Sequence, residues 1–349
     1  MMLKGVLWVW LTGVFAVGNA ETPAPIKSAM LLTLPKADWV LEVEGADLVV
    51  EQKAVTPDGK KARCLAVDWA SGILLTVFLE DQGKPATAEQ CRDLYFAKLK
   101  DTPPKEEEIV QSRLGDMAVA EYLVKEYAGR QMNQKHVNAY LTRGNVWMDI
   151  HLSKMEFKEG ERERFNTILR TVKLVPKKSV PKVRTSYRIG PQVILRLDVP
   201  PGWRDGIRPD PNHATAEIAF VPVPAGSAQV LITVLSPRQD MSASDRLAAT
   251  RKTVEDAGKG ALPQAVETSL DIREFQGQAS TGYLFTLTDK APKPNEYKYM
   301  TQGGYGVDSL ILLFTILSHE KDSDVSRLAL EMVGSAQAVA DRPLSTPMP

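Results

Sequence analysis

Apolar positions along this chain recur in two rhythms, and one stretch, Val307 to Val339, joins them. LILLFTIL, Leu310 to Leu317, is apolar on nearly every residue, as a central strand covered on both faces would be. After the charged turn SHEKDS come Val325, Leu328, Ala329, Met332, Val333 and Ala336, which step i, i+3, i+4, i+7, i+8, i+11 along one face of an α-helix. A strand feeding a helix that folds back onto it is a complete layered unit. The same unit stands earlier: VWMDIHLSKM (Val146 to Met155), the turn EFKEGERE, then Phe165, Ile168, Leu169 and Val172.

The segments before each unit also match in order. MLLTLPKADW opens the first half as a short strand stopped by Pro35, and WVLEVEG, ADLVVEQKAV, ARCLAVDWA and GILLTVFLE read as further strands. TPDGK at Thr56 to Lys60 is a turn, with proline presetting φ and glycine accepting φ > 0. Thr87-Ala88-Glu89-Gln90 is a capping box that starts a helix running to about Leu99, broken by DTPPKEEE. RLGDMAVAEYLVKEY reads as a strand pair, and HVNAYLTRG leads into the strand–helix unit. In the second half VILRLDVPPGW matches MLLTLPKADW with Trp203 over Trp39, and QVLITVLSP matches GILLTVFLE with Leu231 over Leu74. Ser242 caps a helix ending near Gly258 or Gly260, and EFQGQASTGYLF matches RLGDMAVAEYLV with Tyr283 over Tyr122. Landmarks kept in one order, with shifts of 157 to 164 residues, point to an internal duplication. GGYG at Gly303 to Gly306 precedes a strand and reads as a flexible turn.

A chain of 349 residues exceeds one ordinary domain, so two are expected. The proline- and lysine-rich segment 176–183 is the natural linker, exposed and semi-rigid, between domains at 27–175 and 184–340, with a disordered tail at 341–349. The order of elements resembles the PsbP/Mog1/DcrB-like superfamily. The residues that carry it are Pro35 to Trp39 with the unit ending at Val175, and Pro200 to Trp203 with the unit ending at Val339. The first half departs from the pattern in lacking a glycine before its tryptophan. The resemblance implies an α+β fold of two tandem α/β/α sandwich domains, each a mainly antiparallel sheet packed with helices. It implies a fold and no activity, because no family binding residue maps onto this chain.

Composition changes the picture little. Hydrophobic content of 44% and charged content of 25% are globular values. Zero formal net charge with no basic stripe argues against nucleic acid, which is held by phosphate neutralisation. Residues 1–20 look like a signal peptide: Lys4, an apolar core from Val6 to Val17, and the small-x-small site Gly18-Asn19-Ala20. Losing Lys4 from 43 basic residues leaves 42 against 43 acidic ones, a net charge of −1. The apolar run is shorter than the roughly 20 residues a membrane span needs, so the expected product is exported, periplasmic or secreted, without a transmembrane anchor.

Candidate chemistry is sparse. Cys64 and Cys91 form the only pair of thiols. In an oxidising compartment they can bridge, or they can serve as two small buried hydrophobes, and sequence does not show whether their Cβ atoms meet. Asp149 and His151 lie two apart on one strand and share a face. They read either as half a metal site or as polar residues on a solvent-facing edge, and the second is favoured because a zinc site needs three or four protein ligands. Asp205, Asp210 and Asn212 in the loop Arg204 to His213 offer oxygen ligands without calcium-loop spacing, and His319-Glu320 ends a strand in a charged turn. Trp39 and Trp203 read as core plugs in preference to ligand-stacking aromatics. No nucleophile elbow, phosphate loop or dinucleotide fingerprint occurs. The expectation is a non-enzymatic binding or assembly module of the cell envelope with a protein partner and no cofactor or metal. The alternatives are a metal-dependent or hydrolytic enzyme, or a small-ligand or metal carrier, using the cleft between domains.

Overall fold

The computed structural model describes residues 26–97, 109–127, 129–190, 193–209, 215–222, 225–235 and 241–340. The signal segment, the tail, the run DTPPKEEE, and Asp210, Asn212 and His213 lie outside them.

The first half runs β1 (Ala29–Leu32), β2 (Trp39–Glu44), β3 (Leu48–Val55), β4 (Lys61–Asp68), β5 (Ile73–Asp81), α1 (Ala88–Ala97), β6 (Val110–Leu114), β7 (Met117–Tyr127), β8 (Arg130–Arg143), β9 (Val146–Lys154), α2 (Arg162–Arg170) and β10 (Lys173–Pro176). Seven of these strands pair antiparallel in the order β3-β4-β5-β9-β8-β7-β6, and β1-β2-β10 form a small separate sheet.

The second half runs β11 (Val183–Gly190), β12 (Val193–Val199), β13 (Arg204–Pro209), β14 (Thr215–Val221), β15 (Ala228–Leu235), α3 (Ala243–Ala261), β16 (Arg273–Gln276), β17 (Thr281–Thr288), β18 (Tyr299–Val307), β19 (Leu310–Ser318), α4 (Asp324–Gly334) and β20 (Gln337–Ala340). Its pairings repeat those of the first: β13-β14-β15-β19-β18-β17-β16, and β11-β12-β20. The result is an α+β architecture, mostly antiparallel sheet, with four α-helices among the described residues.

Strand alternation sorts side chains between two sides. Met148, Ile150 and Leu152 of β9 enter the main core with Phe165, Ile168 and Leu169 of α2 and the small sheet, whereas Trp147 and Tyr140 lie on the opposite side beneath Cys91 of α1. Each fully buried side chain of this size contributes about 1.5–3 kcal/mol. The two halves are not divided by a cleft at β3. Val49 and Val50 of β3 pair in parallel with Ser186 and Tyr187 of β11, Lys53 pairs with Ile207 of β13, and one apolar core runs through both halves. Beneath this seam the Lys53 ammonium is paired with the Asp205 carboxylate, the two side chains being 5% and 4% exposed. The Tyr187 hydroxyl donates to the other Asp205 oxygen at 2.9 Å. Arg188 reaches Glu51 at 2.9 Å and lies 3.7 Å over the Trp69 ring.

Several sequence expectations are corrected. Trp39 opens β2 but Trp203 follows β12, so both are buried in unrelated places. Matching the two strand-then-proline runs sets β1 against β12, whereas the pairings set β1 against β11. Tyr122 and Tyr283 do stand on matching strands, β7 and β17, but in different register: Tyr122 opposes His136 and Tyr283 opposes Gly304. GGYG lies inside β18 and is not a turn. Gly303 and Gly304 are there for space, since a Cβ on Gly303 would meet the Phe314 ring at 2.2 Å and one on Gly304 would meet Thr250 at 2.7 Å. The apolar helical spacing overruns both closing helices: Val172 and Ala336 lie just past α2 and α4, and the short strands β10 and β20 follow. Pro176 pairs with Trp39, and Val180 is buried, so the proline–lysine segment packs onto the body. Cys64 and Cys91 are reduced and buried, one in the main core beside Met30 and the other on the sheet-facing side of α1, with the sheet between them.

Candidate functional site

Helix α1 begins where the sequence places it. The Thr87 hydroxyl accepts from the Gln90 amide at 3.2 Å and the Gln90 side chain accepts from the Thr87 amide at 3.0 Å, a reciprocal cap. The segment before it is tied to the sheet by the Thr142 hydroxyl, which donates to Ala86 O at 2.8 Å, and by the Trp147 indole, which donates to Lys84 O at 3.2 Å. α1 then packs on β7, β8 and β9, and α3 packs on β17 and β18 of the same side. Between the two helices the outer faces of β5, β4, β3, β13, β14 and β15 carry no helix among the described residues. Phe78 is 40% exposed there, with the Arg63 guanidinium 5.4 Å over its ring. Gln52, Arg208, Glu217 and Gln229 are exposed on the same face.

At the foot of α1, where this bare face begins, lies a polar cluster. His136 Nδ1 and His151 Nε2 are 2.9 Å apart. The rings are within 8° of parallel with centroids 5.2 Å apart. Rings stacked face to face cannot bring atoms so close, so the imidazoles meet end to end and share one N–H···N bond. The Tyr122 ring covers His136 at 4.8 Å and 12°. Asn138, 6% exposed, donates its amide to Asp149 Oδ1 at 3.4 Å, and its own Oδ1 has no partner. Tyr95 stacks on Tyr140 at 5.9 Å and donates to Glu80 at 3.0 Å.

Burial sets the charge states. It pushes the Asp149 carboxyl up to about 6 against the smaller opposing effect of the Asn138 amide. It depresses both imidazoles to about 4, His136 being lowered further by its neighbour His151. The Tyr140 and Tyr95 phenols are pushed above their usual range by burial. Near neutral pH the pair is therefore uncharged, and the cluster can accept or pass protons but holds no activated nucleophile.

The second half supplies an internal control. Counted from their hairpin turns, the positions of His136, Asn138, Asp149 and His151 correspond to Met300, Gln302, Leu313 and Thr315. The fold is content with uncharged residues at all four places, so the His–Asp set is a feature of the first half alone.

Sequence reasoning finds Asp149 and His151 but not His136 and Asn138, which β8 brings across the strand pair, Asn138 directly opposite His151. The signal is present: HVNAYLTRGNVWMDIH repeats polar residues two apart on both sides of the Gly144 turn. Asp149 and His151 sit beside α1 and not on a solvent-facing edge. No group of three or more His, Cys, Asp or Glu among the described residues is arranged to hold a metal ion. Arg204–Pro209 is the strand β13 and not part of a loop, and its Asp205 is consumed by the Lys53 pair, while His319 packs on Tyr297 at 4.8 Å away from the cluster. Cavities of about 840 Å³ against α4 and about 870 Å³ beside the β6–β7 turn are lined by charges of both signs. No protein-family model matches the chain, and neither does any curated protein.

Proposed function

We propose that this chain is an exported, non-enzymatic binding or assembly module of the cell envelope, built from two tandem α/β/α sandwich domains of the PsbP/Mog1/DcrB-like kind. The repeated strand order supports the duplication. The observation that carries the binding role is the bare six-strand face between α1 and α3. Strands about 4.8 Å apart and of six to nine residues span roughly 600 Å², of which the positions at Val49, Val67 and Thr76 are buried, so the open part is smaller than the roughly 800 Å² each partner contributes to a standard protein interface. Its mixture of the exposed Phe78 ring with Arg63, Arg208 and Glu217 suits a folded protein surface better than a lipid or nucleic acid.

The test is affinity capture from an envelope extract with the wild-type chain and a Phe78→Glu variant. The expected result is one protein retained by the wild type and lost by Phe78→Glu at unchanged melting temperature. Equal capture by both chains would remove this face from the function.

A further inference from the structure

We propose that the His136–His151 pair is an acid-operated latch for helix α1: a second proton on the pair breaks the bond between the rings and releases the helix from the sheet. This stands apart from the binding role and rests on the geometry of the cluster. An end-to-end imidazole pair holds its N–H···N bond when neutral and also when it carries one extra proton. With two extra protons, N–H faces N–H and two cations face each other, so the rings must part.

Parting of the rings disturbs Tyr122, which lies flat against His136. Tyr122 meets Phe96 of α1 edge-on at 6.2 Å, and Phe96 also meets Tyr140 at 6.1 Å. Beyond these rings the helix is held by Tyr95, through Tyr140 and Glu80, by the Glu89–Arg113 ion pair and by Cys91, and of its ten residues only Ala88 and Cys91 are fully buried. A helix this short is marginal without tertiary contacts.

The groups facing the pair offer no compensating charge in acid. They are Asp149 from β9, Asn138 and Tyr140 from β8, Tyr122 from β7, Thr76 and Glu80 from β5, and Cys91 and Tyr95 from α1. Glu80 is engaged by Tyr95 and by Lys61 at 2.6 Å. Asp149, held near 6, is already neutral when the imidazoles, held near 4, take up protons. The second half, with Met300 and Thr315 in place of the histidines, has no such latch under α3.

Cys91 reports the opening, because it is wholly buried on the face of α1 that packs against Tyr140 and Trp147 of the sheet. In a Cys64→Ala background it is the sole thiol, and its reaction with an aromatic disulfide that stays reactive in acid is followed from pH 7 to 3.5, each rate normalised to the urea-unfolded chain at the same pH. The expected result is a rise of at least tenfold below pH 5 with circular dichroism still native, and a rise under twofold in His136→Gln and in His151→Gln. A flat wild-type profile, an equal rise in both glutamine variants, or a rise that tracks loss of the dichroism signal would overturn the latch. Should Cys64→Ala fail to fold, the same labelling on the unaltered chain, located at Cys91 or Cys64 by peptide mass spectrometry, separates the same outcomes.

Discussion

The seam between the halves makes a strong demand on one ion pair. Lys53 and Asp205 are almost fully buried, and Tyr187 adds a hydrogen bond to the same carboxylate. Burial, then the adjacent carboxylate, raises the Tyr187 phenol well above its usual range, so it remains a donor. In Asp205→Ala the Lys53 ammonium is left without its counter-ion, at a cost of about 3–5 kcal/mol, and Tyr187 loses its acceptor for about 1 kcal/mol more. A chain of this kind has roughly 5–15 kcal/mol in total, so the variant should be near its folding limit. The triple change Lys53→Met, Asp205→Leu, Tyr187→Phe removes charge, carboxylate and hydroxyl together, and should fall within about 1 kcal/mol of wild type or above it. Urea denaturation followed by far-ultraviolet circular dichroism measures both. A cost below about 1 kcal/mol for Asp205→Ala, or a triple variant as unstable as the single, would refute the idea that an uncompensated charge is what the seam cannot tolerate.

Two further outcomes follow from the packing and the cluster. Gly303→Ala should destabilise by about 1–3 kcal/mol or more in thermal melts, because its Cβ meets both the Phe314 ring at 2.2 Å and the Tyr283 carbonyl oxygen at 2.5 Å, and a backbone atom cannot step aside. The acid dependence should be lopsided: the imidazoles, depressed to about 4, contribute stability that is present above their ordinary value near 6.5 and lost as pH falls towards 4. Asp149, raised to about 6, works the other way, its contribution being present below the ordinary carboxyl value and lost as pH rises through 6. Asp149→Asn should therefore gain about 1–2 kcal/mol over wild type at pH 7.5 and little at pH 4 in urea titrations, and identical profiles would remove Asp149 from the linkage.

Much of the local structure is legible in the sequence. The apolar run at Leu310 to Leu317 is the central strand β19, paired on both sides, and the Thr87 and Ser242 caps start α1 and α3 as their hydroxyls require. These features depend on neighbours a few residues away, which a linear reading contains. The errors cluster where equal patterns have different owners. Two strand-then-proline runs match each other although one is β1 and the other β12, and GGYG looks like a turn because glycine for space and glycine for flexibility are spelled alike.

Within the candidate site, strand alternation alone puts Asp149 beside His151. The cross-strand register adds His136 and Asn138, and the helix packed above turns them from a polar strip into a desolvated cluster. Sequence by itself determined the two strand-to-helix units, the long apolar strands and the caps of α1 and α3, because these rest on contacts within a turn or a hairpin. Only the tertiary structure decided that the halves meet edge to edge at β3 over a buried charge pair and that a broad face stays bare between two helices. It also decided that two cysteines lie on opposite sides of one sheet. Each of these depends on which distant strands pair and which side of the sheet a helix lands on, and burial, the quantity that moves every proton in the cluster, exists only once that choice is made.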